Sequence, residues 1–363
     1  MTMPRSQYVP EGQEGVYHCF SRCVRRAFLY GYDPVTQRDF SHRKAWIVER
    51  LQYLAAIFAI DVCAYAILMN HLHLILRTRP DIVASWSDRE VATRWLTLFP
   101  RRDGPKRIPL PPSELHISAL TACPDRIAKL RRRLCSLSWF MGRLNEHIAR
   151  KANKEDDVKG RFWESRFKCQ ALLDDAAIAA CMVYVDLNPI RAGLAATPEE
   201  SDFTSIQERI RAWRKETIHP DKAARRHLSA ASSSQKPKAE HAVANDIPGL
   251  SSCWLCPIQS DSQRRGILGM TATEYFDLVD KSGRMLRADK RGAVDPDLAP
   301  ILTRIGANPQ AWPDTISHFG SKFRLAAGLL PNLRSFAHQL GKRWLTGVSM
   351  ARASFSTLPQ QLA

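Results

Sequence analysis

The first fifteen residues, MTMPRSQYVPEGQEG, contain no apolar stretch, so no cleavable secretory signal is expected there and the protein is expected in the cytoplasm. Long apolar runs are missing elsewhere too. The nearest approach, Tyr53 to Met69 (YLAAIFAIDVCAYAILM), is broken by Asp61 and falls short of the ~20 apolar residues a membrane span needs. It reads instead as a buried helix followed by a buried strand, and no membrane association is expected. A disulfide framework is also absent, because the nine cysteines are odd in number and scattered over a long chain. Only Cys253 and Cys256 stand at metal-ligand spacing, and no second Cys/His pair at zinc-finger distance accompanies them. Acidic residues are in deficit, 36 against 53 lysines and arginines, for a formal charge of +17. Such a surplus favours a polyanionic partner, most commonly nucleic acid, although charge alone separates this neither from simple solubility nor from an acidic membrane surface.

What is present is a soluble, globular composition over 363 residues, 45% apolar and 25% charged, enough for one large domain or two ordinary ones. Val16 to Arg22 reads as a strand, and RKAWIVERLQYLAAIFAI carries apolar residues at helical spacing. Val62 to Leu68 and His71 to Arg77 read as an antiparallel hairpin turned by Met69 and Asn70, apolar on both faces as at the centre of a sheet. Residues 79 to about 123 look like an insertion, with a short helix near SDREVATRWLTLF and a basic, Pro-rich loop. Ile127, Leu130, Leu134, Leu137, Met141, Leu144 and Ile148 then predict one apolar seam on a single helix of about six turns. That seam could make a homodimer, or cover a sheet. RFWESRFKCQALL follows as a strand and DDAAIAACMVYVDLN as a helix, so the order is βαββαβ and the fold class α+β. Residues 217 to 249 are polar and read as a linker, and 250 to 363 as a mainly helical unit with a capping box, Thr271-x-x-Glu274.

Two features carry chemistry. In a strand, His71 and His73 project from one face about 7 Å apart and can converge on one cation, or simply hydrogen-bond within the core. In YVDLNPIRAGL, Tyr184 and Asn188 stand four apart at a helix end and share a face, presenting a phenol and an amide together. Tyr184 could equally be a core tyrosine, and Asn188 a terminator placed before proline.

Taken in order, YHCFSRCVRRAF, NHLHLIL, GRFWESRFKCQALLDDAA and YVDLNPIRAGL resemble the single-tyrosine HUH transposases, in particular the REP-associated tyrosine transposase branch, over roughly Gly15 to Glu208. The resemblance implies a ferredoxin-like or RRM-like antiparallel sheet (the HUH fold) backed by helices, here with a C-terminal helical extension that short members lack. It implies His71, His73 and Asn188 as ligands of Mg2+ or Mn2+, and Tyr184 as the nucleophile that nicks single-stranded or hairpin DNA through a 5′-phosphotyrosine. LMNHLH departs from members with Pro or Ser before the Asn, which alters the turn and leaves the ligands intact. A catalytically silent DNA-binding protein of this fold, or a replication or relaxase-type HUH nuclease, are the competing expectations.

Residues for DNA binding follow from the same segments. A strand through RFWESRFK would set Glu164, Arg166 and Lys168 on one face and Trp163, Ser165 and Phe167 on the other, with Arg22, Arg25 and Arg26 leaving the first strand nearby. The basic groups would track phosphates. The aromatic residues would either stack bases or fill the core.

Overall fold

The computed structural model describes residues 4–24, 28–104, 108–218, 254–285, 302–303 and 305–355. Five strands form its central sheet: β1 (Gly15–Arg22), β2 (Ile60–Ile67), β3 (His71–Thr78), β4 (Lys168–Leu172) and β5 (Ala326–Ala327), in the spatial order β2-β3-β1-β4-β5. The first four pair antiparallel and β5 lies parallel to β4. The sheet is therefore mixed, not wholly antiparallel as the sequence predicts. The extra strand has a physical reason: β4 would otherwise expose an unpaired edge, and the amides of Ala171 and Leu173 instead donate to the carbonyls of Leu325 and Ala327 at 2.9 Å.

Nine helices frame the sheet: α1 (Arg43–Ile57), α2 (Pro124–Leu134), α3 (Leu137–Glu155), α4 (Asp175–Asp186), α5 (Asn188–Arg191), α6 (Ser205–Ile218), α7 (Ala272–Met285), α8 (Trp312–Lys322) and α9 (Leu330–Gln339). Helices Pro80–Ser85, Asp88–Leu98, Glu114–Thr121 and Val348–Ser354, two 3-10 turns and four two-residue strands also lie among the described residues. The first helix and the β2-β3 hairpin lie where the apolar pattern puts them, and the Leu68 amide closes the turn on the His71 carbonyl at 2.8 Å. The expected six-turn seam is two helices, α2 and α3, broken at Cys135 and Ser136. Its seven apolar residues are all buried within the chain, so the seam is spent on the protein's own core and leaves no stripe for a second copy. The strand expected through RFWESRFKCQALL is likewise shorter: residues 161–167 form no regular strand, meeting the end of β1 only through the Glu164 amide on the Arg22 carbonyl at 2.9 Å and a Cys23–Trp163 bridge, and the continuous pairing is that of Lys168–Leu172.

The two faces of the sheet are covered differently. On one, Asn145 of α3 donates to Ser21 Oγ of β1 at 2.9 Å, and Leu72, Leu74 and Leu76 are fully buried. On the other lies α4, a helix of small and apolar residues capped by Asp174, whose carboxylate accepts from the Ala177 amide. The segments after residue 254 close around α4. Asp186, at its C-terminal end, is buried and accepts from Ser205 Oγ, the Ile206 amide and Tyr275 Oη of α7. Asp174, at its other end, accepts from the Leu329 amide and Asn332 Nδ2. The eight described cysteines are free thiols. Cys253, and with it the Cys253/Cys256 pair, lies outside the described residues, as does most of the expected linker. Among the described residues, no helix is long and apolar enough to cross a membrane.

Candidate active site

Strand register assembles the site. Residues opposite one another in adjacent strands share a face, and the pairs Phe20–His73, Arg22–His71, His18–Gln170 and Phe20–Lys168 put all seven side chains on the face that α4 covers. His73 is 5% exposed, and His71 sits at the margin of the sheet, half-buried. Their rings meet edge to face at 5.0 Å between centroids. Tyr184, half-buried on α4, brings its ring edge-on to His73 at 5.8 Å and to His18 at 6.0 Å. Thus the strand pair and the tyrosine helix, separated by more than a hundred residues in sequence, meet across one face.

Asn188 lies one turn beyond Tyr184, buried, with its Nδ2 donating to the Tyr184 carbonyl at 3.0 Å. The chain kinks there, since α4 ends at Asp186 and α5 restarts with Pro189 near its N-terminus. Among the described residues no contact joins Asn188 directly to an imidazole. Its Oδ1 is the atom left to act as a ligand. Arg22 and Lys168 flank the imidazoles, both exposed; the Lys168 ammonium lies 5.6 Å from the Phe20 ring centroid. Arg166 is exposed in the irregular 161–167 segment, off the sheet face, because the strand that was to orient it begins two residues later. Arg25 and Arg26 lie outside the described residues. Of the two candidate stacking aromatics, Phe167 is buried beneath the Arg5 guanidinium, and Trp163 donates its indole N–H to the Asn145 carbonyl at 2.8 Å. The aromatic on the site face is Phe20.

Three further residues belong to the site and were not singled out from sequence. His18, 1% exposed, contacts His73 through Nε2 to Nδ1 at 2.9 Å and Gln170 Oε1 through Nδ1 at 3.3 Å. Arg191 places its guanidinium 5.1 Å from the Tyr184 ring centroid and donates to the Ser317 carbonyl of α8. The third, Gln170, is buried in β4. His18 carried a legible signal, a polar ring in an otherwise apolar strand, but nothing local gave it a partner.

Burial sets the electrostatics. Desolvation pushes His18 down to about 4, and pushes His71 down to about 4 with help from the Arg22 charge. His73 falls well below the usual histidine range for the same reason, reinforced by the neighbouring His18 and His71. All three rings are therefore neutral near neutral pH, the form that donates a lone pair to a metal. Burial also raises the Tyr184 phenol above its ordinary 10, opposed by the Arg191 charge and the Asn188 amide. The tyrosine is thus a protonated group with a cation held beside it.

The donor set suits a divalent ion. His71 Nδ1 meets Asn70 Oδ1 at 2.7 Å and His73 Nδ1 meets His18, so each ring keeps Nε2 for a ligand. No group of three His, Cys, Asp or Glu side chains among the described residues is arranged to hold a metal. Two imidazoles and an amide oxygen are the donors the chain offers there.

No family model and no curated protein matches the chain. Among solved structures it is similar to the "REP associates tyrosine transposase bound to a REP hairpin", at 12% identity, over 58% of this chain and 86% of that one, with a TM-score of 0.34. A TM-score that low does not establish a shared fold, so kinship has to rest on the residues themselves.

Proposed function

We propose that this chain is a single-tyrosine HUH strand transferase that nicks and rejoins single-stranded DNA at hairpin-marked sites. The observation that carries the reading is the meeting of Tyr184 with His73 and His71 on one sheet face. The strand order supports it: the fourth strand of the βαββαβ unit, β4, lies beside the first, and the first beside the third, as in the ferredoxin-like arrangement the sequence resemblance implies.

The chemistry follows from the side chains. Arg22 and Lys168 bind the backbone phosphates of the strand, and Phe20 offers a ring beside them for a base. The Tyr184 oxygen attacks phosphorus, the new Oη–P bond forming as the P–O3′ bond breaks, which leaves a 5′-phosphotyrosine and a free 3′-hydroxyl. The phenol gives its proton to solvent in that step and the departing O3′ takes one up, so the exchange balances, and Arg191 stabilises the charge that develops on the phenol oxygen. Return attack by a 3′-hydroxyl reverses the exchange, so the phosphodiester energy is conserved and no nucleotide is consumed. Mg2+ or Mn2+ held by His71, His73 and Asn188 would supply polarisation of the scissile phosphate.

Incubation with single-stranded hairpin DNA and Mn2+ or Mg2+ should give a covalent protein–DNA adduct that survives denaturation. Tyr184→Phe should abolish it, and an undiminished adduct in that variant would remove Tyr184 from its role. A second reading, a DNA-binding protein without the chemistry, is favoured by one observation: the Tyr184 hydroxyl is packed against Gly320 of α8. Hairpin binding without any adduct in either metal would select it.

A further inference from the structure

We infer that Gln170 and His18 form a hydrogen-bonded relay that fixes the tautomer of His73, presenting its Nε2 as a bare lone pair toward the site; the inference deepens the metal-dependent reading above and rests on it for its purpose. The argument is one of donors and acceptors. An amide oxygen can only accept, so Gln170 Oε1, 3.3 Å from His18 Nδ1, requires the hydrogen of His18 to sit on Nδ1. A neutral imidazole protonated at Nδ1 has its lone pair on Nε2. That atom lies 2.9 Å from His73 Nδ1, so His73 must be the donor and carry its own hydrogen on Nδ1. His73 Nε2 is then bare.

His71 reaches the same state by a separate route, since Asn70 Oδ1 at 2.7 Å demands a hydrogen on His71 Nδ1. Two unrelated amide oxygens therefore impose one tautomer on both candidate ligands. Burial makes the relay rigid: His18 is 1% and Gln170 2% exposed, and the His18 and His73 rings are stacked at 5.1 Å and 16°. Among the described residues Gln170 Nε2 is buried with no partner, which is a cost of holding this amide in the sheet interior. With the amide reversed, the logic inverts at each link and His73 Nε2 would carry the hydrogen. Outer partners of this kind orient metal-binding histidines, and losing one typically costs about 10–100-fold in metal affinity.

The test uses the full-length chain and has a readout independent of DNA cleavage. Long-range 1H–15N correlations of the metal-free protein, with Mn2+ affinity from calorimetry, are compared for wild type, His18→Phe, His18→Gln and Gln170→Leu. Wild type should show His73 protonated at Nδ1 and bare at Nε2. His18→Phe keeps the ring volume but removes the acceptor, so the His73 tautomer should become mixed and Mn2+ affinity fall about 10–100-fold. His18→Gln returns an amide oxygen near the lost nitrogen and should restore both readouts; Gln170→Leu should mix the tautomer with His18 intact. A hydrogen on His73 Nε2 in wild type, or an unchanged tautomer in His18→Phe and Gln170→Leu, overturns the relay. A wild-type protein with the stated tautomer but no Mn2+ binding and no Tyr184 adduct leaves the relay standing and defeats the functional reading, so the two failures are separable.

Discussion

Buried imidazoles give this protein a residue-level signature in its acid stability. His18, His71 and His147 are each pushed down to about 4, chiefly by burial, and burial holds His73 well below the usual histidine range. In the unfolded chain the same rings titrate near 6.5, so between about 6.5 and 4 the unfolded state takes up protons that the fold refuses. Their contribution to stability is therefore fully present above about 6.5 and is lost as pH falls through that window. Asp186 runs the other way: its burial raises it to about 6, so its contribution is lost as pH rises from the ordinary carboxylate range towards 6. Asp175, also raised by burial, acts with Asp186, but four imidazoles outweigh two carboxyls, and the urea midpoint should drop on going from about pH 7 to about 4.5. His147→Gln, which removes a ring lying beside Arg50 and Lys151 and away from the site, should make that drop shallower. An equal slope in the variant would assign the acid sensitivity elsewhere. At this scale the sequence was legible where a residue had a partner at fixed spacing, as with His71 and His73 or Tyr184 and Asn188. His18 and Gln170 were illegible because their meaning depends on strand register, which alternation within one strand does not specify.

Elements were legible in proportion to how locally they are determined. The β2-β3 hairpin and helix α4 follow from their own apolar pattern, turn and cap. The seam helix did not, because a 3,4 repeat runs through Cys135 and Ser136 as smoothly as through a helix; the break appears only in the backbone, where their amides turn back to Arg132 and Arg133. The KLRRRL stretch on α2 shows the same limit: Arg131 is used to bind the carbonyls of Val83 and Trp86, a structural duty that charge alone does not announce. Asp174 joins two elements at once, with Oδ1 capping α4 and Oδ2 holding the Leu329 amide and Asn332 at the start of α9. Asp174→Ala should lose about 1–2 kcal/mol from the cap alone, and more because two half-buried donors lose their acceptor. Asp174→Asn keeps a capping oxygen but cannot serve every donor, so it should fall between. Thermal or urea unfolding of the three proteins orders them; equal stabilities would show that the cap and the clasp are both solvated in the wild type.

For the molecule as a whole, the largest departure from the sequence reading is where the chain after residue 254 goes. It supplies the strand β5, the Tyr275 hydroxyl on Asp186, and the Arg265 and Gly266 carbonyls that receive Arg77 from β3. It also supplies α8, which lies on the tyrosine helix with the Phe319 ring 5.9 Å from that of Tyr184. None of this was visible in a segment with helix signals and no motif, because parallel strand addition and helix-on-helix packing leave no local mark. The contact at Gly320 is close, since a Cβ there would sit 2.6 Å from the Tyr184 hydroxyl oxygen and 3.1 Å from its Cζ. A methyl group cannot be accepted without moving the helix or the phenol. Gly320→Ala should therefore destabilise by about 1–3 kcal/mol as overpacking, despite alanine's better helix propensity. Tyr184→Phe deletes the clashing oxygen, so the double variant should recover part of the loss, with a coupling of about 0.5–3 kcal/mol for residues in contact. Additive single effects would mean that α8 stands off Tyr184 in solution. Strong coupling would mean that α8 seals Tyr184 in the free protein; under the proposed function any strand that reaches the phenol then has first to displace this helix, so adduct formation should be faster in Phe319→Ala, which weakens the seal and leaves Tyr184 and its imidazoles unsubstituted.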